Sequence, residues 1–361
     1  MNIAIVGATG NVGRKLLEVI KRLNFKFSEL YLIASDKSAG KKINFQDKEY
    51  TVLGLTDFDF SKVKIAFFSA GSSTAEAWAP VAAKKTIVID NSKHFRMDKE
   101  IPLIVPEVNP EALKNYKNKN IIANANCSTI QLVLALKPLH DKFKVKRVIV
   151  STYQSVSGAG KAQMNELLNQ SSGVAQQIAL GEAIPIDPYN QLSALQEHFG
   201  YEDDKPNPSK NFTKQIAFNV IPHIDSFMED RYTKEEWKMT VETKKILDPN
   251  ISLSATCVRV PVFGGHSESI NVEFNSEVNA EKIRKCLEKA PGCKVVDEAK
   301  DGGYVTPHES EGSFLTYISR IRDDQTQKNS INMWVVSDNL LKGAALNAVQ
   351  IAQLLCEKYL K

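Results

Sequence analysis

The feature of this sequence that most restricts its fold is a glycine-rich turn between an apolar run and an amphipathic segment. The run Asn2–Val6 is followed by Gly7–Gly13 (GATGNVG), and Val12–Leu23 has the periodicity of a helix. Glycines at this junction tighten the turn and let backbone N–H groups approach a pyrophosphate at the helix N-terminus. The pattern favours dinucleotide binding over a plain strand-to-helix turn. The residues expected at the cofactor are Gly7, Thr9, Gly10, Asn11 and Val12.

Apolar runs and helical segments continue to alternate through the first third of the chain. A helix is predicted around Thr74–Ala83. The predicted strands are Leu30–Ala34, Ile65–Ser69, Thr86–Ile89 and Ile121–Asn124. Such alternation predicts an α/β fold, with a Rossmann-like parallel sheet and helices on both of its faces.

The second half of the chain has longer strands, which predict an α+β domain with a mixed or antiparallel sheet. A β-rich run at Val145–Gln154 precedes a helix-prone stretch from Ala162 to about Leu180. The segment Ile184–Lys214 is rich in Pro, Asn and Asp and is interpreted as an extended excursion, and Asn339–Tyr359 as a closing helix. The further predicted strands are Leu253–Pro261, Ser267–Phe274, Phe314–Ile321 and Ser330–Val336.

The composition excludes several classes of protein. The 361 residues are 43% apolar and 24% charged, which is typical of a globular protein with two domains. The 46 basic and 42 acidic residues give a net charge of +4, too small and too dispersed for a nucleic-acid-binding protein. No apolar run is long enough to span a bilayer, and the strand-like start does not resemble a signal peptide. We therefore expect a cytoplasmic protein.

The cysteines also restrict the chemistry. There are five, an odd number without a CxxC pair, which argues against a zinc site and against a disulfide framework. We therefore expect no metal site, and we expect the protein to reside in a reducing compartment. The cysteines are Cys127, Cys257, Cys286, Cys293 and Cys356.

Cys127 lies where a predicted strand enters a helix that begins near Ser128 and meets Pro138. A helix N-terminus favours the thiolate, and the amide of Asn126 could donate to a developing oxyanion. The alternative is a small buried residue at a helix start that Ser128 or Thr129 caps. Beside a nucleotide-binding fold, the sequence favours a nucleophile.

Charged residues elsewhere cannot be assembled into a site from their spacing. Arg96 follows a strand end, and Glu235 and Lys238 share one face of a predicted helix, where a surface ion pair is the usual result. Arg259 and His266 flank a turn with two glycines, which lets the chain bend to present the histidine.

The end of the second strand bears on the choice of cofactor. Ser35, Lys37 and Ser38 could bind a 2′-phosphate, whereas Asp36 would repel it if its side chain pointed inward. These residues favour NADP over NAD.

A series of short motifs, in one order along nearly the whole chain, resembles the aspartate-β-semialdehyde dehydrogenase family. The motifs are GATGNVG, ASDKSAG, FFSAGSS, IDNSKHFRMD, VPEVNP, NANCST, YQSVSGAG, EEWKM, SATCVRVPVFGGHSES and WVVSDNLLKGAA. The resemblance implies NADPH-dependent reduction of L-β-aspartyl phosphate to L-aspartate 4-semialdehyde through a cysteine thioester, in lysine, threonine, methionine and diaminopimelate biosynthesis. It also implies a homodimer or homotetramer, with an NADP-binding domain (residues 1–126 and 339–361) and a catalytic and dimerisation domain (residues 127–338).

The resemblance implies a role for each candidate residue. Cys127 would be the acylated nucleophile and His266 the general acid/base, with Asn126 beside the reacting group and Gln154 orienting it. The substrate residues would be Arg259 for the α-carboxylate, Glu235 for the amino group, and Arg96 and Lys238 for the phosphate. The cofactor residues would be Ser157, Gly158 and Asn339 near the nicotinamide, and Ser35, Lys37 and Ser38 at the 2′-phosphate.

Two residues depart from the family's pattern. Ala125 replaces a proline before the nucleophile, and Lys37 replaces an arginine, which removes a planar fork for phosphate. The nearest alternative is an N-acetyl-γ-glutamyl-phosphate reductase, which the amine site at Glu235 and the NANCST motif disfavour. A non-catalytic NADP-binding sensor is the alternative of a different class. A glyceraldehyde-phosphate dehydrogenase is disfavoured because an SCTTN-like arrangement is absent.

Overall fold

The computed structural model describes residues 1–179 and 210–360. The strands are β1 Ile3–Val6, β2 Leu30–Ala34, β3 Lys42–Phe45, β4 Lys48–Thr51, β5 Leu53–Gly54, β6 Ile65–Phe68, β7 Ile87–Asp90, β8 Leu103–Ile104, β9 Ile121–Asn124, β10 Val145–Gln154, β11 Ser252–Arg259, β12 His266–Phe274, β13 Cys293–Val295, β14 Thr316–Asp323 and β15 Ser330–Ser337. The α-helices are α1 Asn11–Arg22, α2 Ser72–Ala83, α3 Cys127–Phe143, α4 Lys161–Ala179, α5 Lys234–Ile246, α6 Ala280–Leu287, α7 Pro307–Ser310 and α8 Leu346–Tyr359. Short 3₁₀ turns lie at Asp36–Ser38, Phe60–Lys62, Pro110–Asn118 and Val156–Gly158, and a π-helical turn lies at Leu341–Ala345.

The first sheet is parallel throughout, with the strand order β5-β2-β1-β6-β7-β9-β8, and it confirms the predicted Rossmann-like fold. The chain reverses its direction of winding between β1 and β6, so a crevice opens at their carboxyl ends. Gly7 follows β1 with φ +88°, and a Cβ there would lie 2.6 Å from the carbonyl oxygen of Ser69. Only glycine fits this turn.

The second sheet is mixed, as predicted, with the order β11-β10-β12-β15-β14-β13. β10 pairs in parallel with β11 and antiparallel with β12. One face packs on α3 through residues such as Val150, Leu136 and Val335. The opposite face carries Ile149 and Tyr153, which are more than a third exposed.

The end of the chain returns to the first sheet. Leu346, Ile351 and Leu355 are buried in one hydrophobic core with Ile5 and Leu16. The sequence predicts a single helix from Asn339. In the structure a π-helical turn at Leu341–Ala345 precedes the regular helix α8.

The helix that begins at Cys127 is longer than expected. The sequence predicts that it meets Pro138, whereas α3 continues through that proline to Phe143. Proline lacks an N–H group and leaves the carbonyl of Leu134 without its helical partner. The Cys293 thiol donates to that carbonyl at 3.8 Å, so a side chain supplies the missing bond.

The predicted stretch from Ala162 forms α4, which begins at Lys161. Its expected end at Leu180, and all but the last five residues of the predicted excursion Ile184–Lys214, lie outside the described residues. No helix in residues 1–179 or 210–360 combines the length and apolar character needed to cross a membrane. Over the same residues, no group of three or more His, Cys, Asp or Glu side chains is placed to hold a metal ion.

Candidate functional site

A cleft of about 870 Å³ lies between the two sheets and collects most of the predicted site residues. Those that line it are Gly10, Asn11, Val12, Arg96, Asn126, Cys127, Gln154, Ser157, Gly158, Glu235, Lys238, Arg259 and Asn339. His266 is fully buried behind this surface. The tertiary structure thus brings together residues that the sequence spaces by more than 300 positions.

A second cavity, of about 310 Å³, lies at the crevice of the first sheet and is lined by Gly7, Thr9, Gly10, Ser35 and Ser69 among others. Gly10 lines both cavities, which places the start of α1 between them. No side chain caps this helix. Its first N–H groups can therefore serve a bound anion, and the site fits the pyrophosphate of a dinucleotide.

The acidic residue after β2 is turned toward a neighbouring strand. The Thr56 hydroxyl donates to Asp36 Oδ1 at 2.9 Å, and the same oxygen lies 2.9 Å from where a Cβ on Gly54 would be. Lys37 and Ser38 share the 3₁₀ turn with Asp36 but are not among the residues lining the cavity. Ser35 alone of the three predicted 2′-phosphate residues lines it.

Cys127 is the first residue of α3, and Asn126 is its N-cap. The Asn126 Oδ1 accepts from the N–H groups of Ser128 at 2.9 Å and Thr129 at 3.3 Å, so the asparagine is the cap. Its Nδ2 donates to Glu235 Oε1 at 2.9 Å. The amide that the sequence assigns to a developing oxyanion is thus bonded to a carboxylate.

The expected stabilisation of the Cys127 thiolate is not found. Burial and the nearby Glu235 carboxylate raise the pKa of Cys127 to about 11, against the lowering effects of Arg96 and Arg259. Asn126 already caps the helix end, and desolvation disfavours the charged form of the thiol. A pKa this far above neutral makes Cys127 a thiol at neutral pH.

Glu235 is the centre of a buried network and not half of a surface ion pair. Its Oε1 accepts from Gln154 Nε2 at 3.1 Å, and its Oε2 lies 2.7 Å from Lys238 Nζ. Burial would raise the pKa of Glu235, but the charge and hydrogen bonds of Lys238 and its neighbours lower it to about 2. The carboxylate is therefore charged throughout the neutral range.

Arg96 is held by three contacts at the floor of the cleft. Its Nε donates to the Asn124 carbonyl at 2.9 Å, and its terminal nitrogens bond the Asn91 carbonyl and Glu242 Oε1, each at 3.0 Å. The other oxygen of Glu242 accepts the backbone N–H of Asn126 at 2.7 Å.

Glu242 was not identified from the sequence as a site residue, although its spacing along the helix could have indicated it. Glu242 follows Glu235 and Lys238 on α5 at the i, i+3, i+7 spacing of one helix face. All three residues are buried on that face.

His266 begins β12 and is placed to donate rather than to accept. The backbone N–H of Ser155 donates to its Nδ1 at 3.1 Å, which leaves the proton of the neutral ring on Nε2. A Cβ on Gly158, which lines the cleft, would lie 3.1 Å from that Nε2. Burial and the charge of Arg259 lower the pKa of His266 to about 3.

Asn339 holds together the loops around this histidine. Its Oδ1 accepts from the Ser155 hydroxyl at 3.1 Å and the Gly265 N–H at 3.0 Å, while its Nδ2 donates to Ser157 Oγ at 3.0 Å. The carbonyl of Ser155 accepts from Arg259 at 2.6 Å. Two of the predicted nicotinamide residues, Ser157 and Asn339, are therefore bonded to each other at one edge of the cleft.

Gly343 is a second residue that the sequence did not single out. It lies in the π-helical turn, and a Cβ there would be 2.8 Å from the Cβ of Cys127. Buried Lys342 fixes the turn through contacts of 2.7 Å with Glu107 and 2.9 Å with Asn347. The backbone thus approaches the candidate nucleophile as closely as glycine allows.

The raised pKa of Cys127 leads to a prediction for the protein by itself. The thiolate fraction grows with pH below the pKa, so the rate of Cys127 alkylation by iodoacetamide should rise about tenfold per pH unit between pH 7 and 9. Glu235→Gln removes a negative charge beside the thiol and should speed alkylation at pH 8. Mass spectrometry of the Cys127 peptide gives the rate, and a pH-independent rate in this range would contradict the assigned pKa.

Two family models match the chain. The semialdehyde dehydrogenase NAD binding domain matches residues 2–116, and the semialdehyde dehydrogenase dimerisation domain matches residues 136–342. An aspartate-semialdehyde dehydrogenase of Aquifex aeolicus is 49% identical over 359 residues, which cover 99% of this chain and 98% of that protein.

Solved structures agree with these matches. The crystal structure of aspartate semialdehyde dehydrogenase II from Vibrio cholerae has a TM-score of 0.89 at 45% identity and covers 99% of both chains. A structure of that protein complexed with ASA has a TM-score of 0.88, also at 45% identity, and covers 99% of this chain and 98% of that one.

Proposed function

The chain belongs to the aspartate-semialdehyde dehydrogenase family, and on that basis we propose that it reduces L-β-aspartyl phosphate to L-aspartate 4-semialdehyde through a thioester on Cys127. The observation that carries the assignment is the position of Cys127, at a helix start in a cleft that both sheets line. The product serves the biosynthesis of lysine, threonine, methionine and diaminopimelate.

In this mechanism the sulfur of Cys127 attacks the acyl carbon as the carbon–oxygen bond to phosphate breaks, and the thiol proton leaves with the phosphate, which departs as hydrogen phosphate. The nicotinamide cofactor, when bound, supplies a hydride to the thioester carbon. The oxyanion then expels the Cys127 thiolate and leaves the aldehyde. A thioester accepts hydride far more readily than an ester, which is why the reaction needs sulfur. His266 remains the residue proposed as general acid/base; the hydrogen bond from Ser155 leaves its proton on Nε2, from which it would act as the acid toward the reacting group.

The charged residues of the cleft fit the groups of this substrate. We assign the α-carboxylate to Arg259, the amino group to Glu235 and the phosphate to Arg96 and Lys238. The lowered pKa of Glu235 supports its role, because only the carboxylate form pairs with an ammonium group. Gln154 orients the reacting group from its bond to Glu235, and Asn126 holds the start of α3.

We propose NADP as the cofactor, bound along the two cavities. The uncapped start of α1 would receive the pyrophosphate, and Ser157, Gly158 and Asn339 would lie near the nicotinamide. The hydrogen bond from Thr56 holds the Asp36 carboxylate beside Gly54. Ser35, Lys37 and Ser38 remain the residues proposed for that phosphate.

We propose a homodimer that buries the outer face of the second sheet. That face carries exposed Ile149 and Tyr153, and Tyr153 packs on Trp334 with ring centroids 5.4 Å apart. A shallow cavity of about 220 Å³ lies beside Trp334, Arg320 and Tyr304. Sedimentation equilibrium should give twice the chain mass, or four times if dimers pair.

The division into domains follows from the same assignment. Residues 1–126 with 339–361 would bind the cofactor, and residues 127–338 would carry catalysis and dimerisation. All five cysteines are unpaired, which supports a reducing, cytoplasmic location.

The deciding experiment follows reduced nicotinamide by absorbance, with aspartate semialdehyde, NADP or NAD, and with or without inorganic phosphate. We expect a reaction that requires phosphate and prefers NADP. Activity with N-acetylglutamate semialdehyde in place of the aspartyl substrate would instead support the glutamyl reductase. Absence of activity in folded protein with a free Cys127 thiol would support the non-catalytic sensor.

A further inference from the structure

One carboxylate in the cleft occupies a position that suits an oxygen of the substrate phosphate. Asp225 Oδ2 accepts from Lys93 Nζ at 2.7 Å and from Lys238 Nζ at 2.8 Å. All three residues line the cleft with Cys127 and Arg96. Burial opposes ionisation, yet the two lysines hold the pKa of the Asp225 carboxyl well below its usual range.

The backbone around Asp225 is fixed on both sides. Ile221 exchanges two hydrogen bonds of 2.8 and 2.9 Å with Arg259, and the Ser226 carbonyl accepts from Lys234 at 2.8 Å. Asp225 itself has φ +69°, a conformation that non-glycine residues seldom adopt and that its surroundings must maintain. The carboxylate is therefore held at the cleft by the fold.

Lys93, in contrast, can leave its partner. Its side chain is 45% exposed, and it lies in the loop after β7. Lys238 is buried and also contacts Glu235 at 2.7 Å, so it already has a second carboxylate. A phosphate that entered the cleft would compete with Asp225 for both ammonium groups.

Arg96 has hydrogen-bond donors left for the same anion. Within residues 1–179 and 210–360, three of its five N–H groups are bonded, one each to Asn91, Asn124 and Glu242. An N–H group on each terminal nitrogen remains for a ligand.

We propose that Lys93 is a further ligand of the substrate phosphate and that Asp225 is a resident anion which Lys93 and Lys238 exchange for that phosphate. The inference rests on the proposed function, because it needs an acyl phosphate or inorganic phosphate as ligand. Together with Glu235, Asp225 balances the charge of the two lysines, and it thereby weakens phosphate binding. Lys93 and Asp225 thus act on phosphate affinity in opposite directions.

The test measures KM for inorganic phosphate in the oxidative direction. Lys93→Ala should raise it about tenfold, since a charge-assisted hydrogen bond is lost, and Lys93→Arg should restore most of it. Asp225→Asn keeps the shape but removes the charge, and it should lower the KM for phosphate about threefold or more. The KM for aspartate semialdehyde should stay within about twofold in each variant.

A matched pair of control variants comes from α3. Lys137 and Asp141 form an ion pair of the same 2.7 Å length, and neither lines the cleft. Lys137→Ala and Asp141→Asn should leave the KM for phosphate unchanged. If Asp225→Asn folds poorly, Asp225→Ser removes the same charge with a smaller side chain.

A binding measurement separates this inference from the proposed function. Inorganic phosphate should raise the unfolding midpoint of the wild type, more so in Asp225→Asn and less in Lys93→Ala, without any turnover. If Asp225→Asn weakens phosphate binding as Lys93→Ala does, Asp225 positions the lysines and the exchange is refuted. If phosphate binds in this order but no reaction occurs, the proposed function fails and the anion site stands.

Discussion

Replacing Cys127 by serine is expected to lower kcat for phosphate-dependent reduction of NADP by at least about 10³-fold. The hydroxyl ionises far less readily than the thiol, and an ester accepts hydride poorly, so both covalent steps suffer. The substitution exchanges one atom at the start of α3, where Asn126 supplies the cap and Ser128 the first capped N–H. The fold and the cofactor site should therefore remain intact.

Steady-state kinetics and cofactor binding by nicotinamide fluorescence measure the two halves of this prediction. Cys286→Ser is the matched control, because Cys286 is half-buried and does not line the cleft. The control should retain wild-type kcat. Near-normal turnover in Cys127→Ser would refute the thioester and with it the assigned mechanism.

Gly343→Ala is expected to lower kcat by about 100-fold, since a misplacement of about 1 Å at the reacting group can cost that much. The added methyl would lie 2.8 Å from the Cβ and 3.2 Å from the Cα of Cys127, so one of the two backbones must shift. Overpacking of this kind costs about 1–3 kcal/mol of unfolding free energy. Helix propensity alone predicts the opposite, since alanine is favoured over glycine by about 1 kcal/mol.

A double-mutant cycle isolates this contact. In a Cys127→Gly background the Cβ that the methyl meets is absent, and most of the destabilisation caused by Gly343→Ala should disappear. Denaturant unfolding of the four proteins gives the coupling free energy. A coupling near zero, together with unchanged kcat in the single variant, would show that the turn does not restrain Cys127.

His266 shows what a local sequence pattern can predict about a site residue and what it cannot. The two glycines before His266 indicate that the chain bends there, and Gly265 does take φ +78°. The sequence does not show that the Ser155 N–H, contributed by another strand end, fixes the tautomer of the ring. That hydrogen bond joins residues 111 positions apart.

The Cys127 environment shows where sequence reasoning goes wrong. Its place at a helix start predicts a stabilised thiolate, and the secondary structure is as predicted. Burial and the Glu235 carboxylate nevertheless raise its pKa, and Glu235 lies on a helix more than 100 residues away in the sequence. The neighbours of a residue in sequence determine its backbone conformation, whereas its neighbours in space determine its protonation state.

The sequence by itself determined the parallel first sheet, the glycine turn at Gly7 and the long strands of the second sheet, because periodicity and turn chemistry act over a few residues. It also placed Cys127 at the start of its helix. Only the tertiary structure decided that Glu242 holds Arg96, that Asp225 lies between two lysines and that Gly343 lies against Cys127. These contacts join distant segments through burial and distance, which spacing along the chain does not encode.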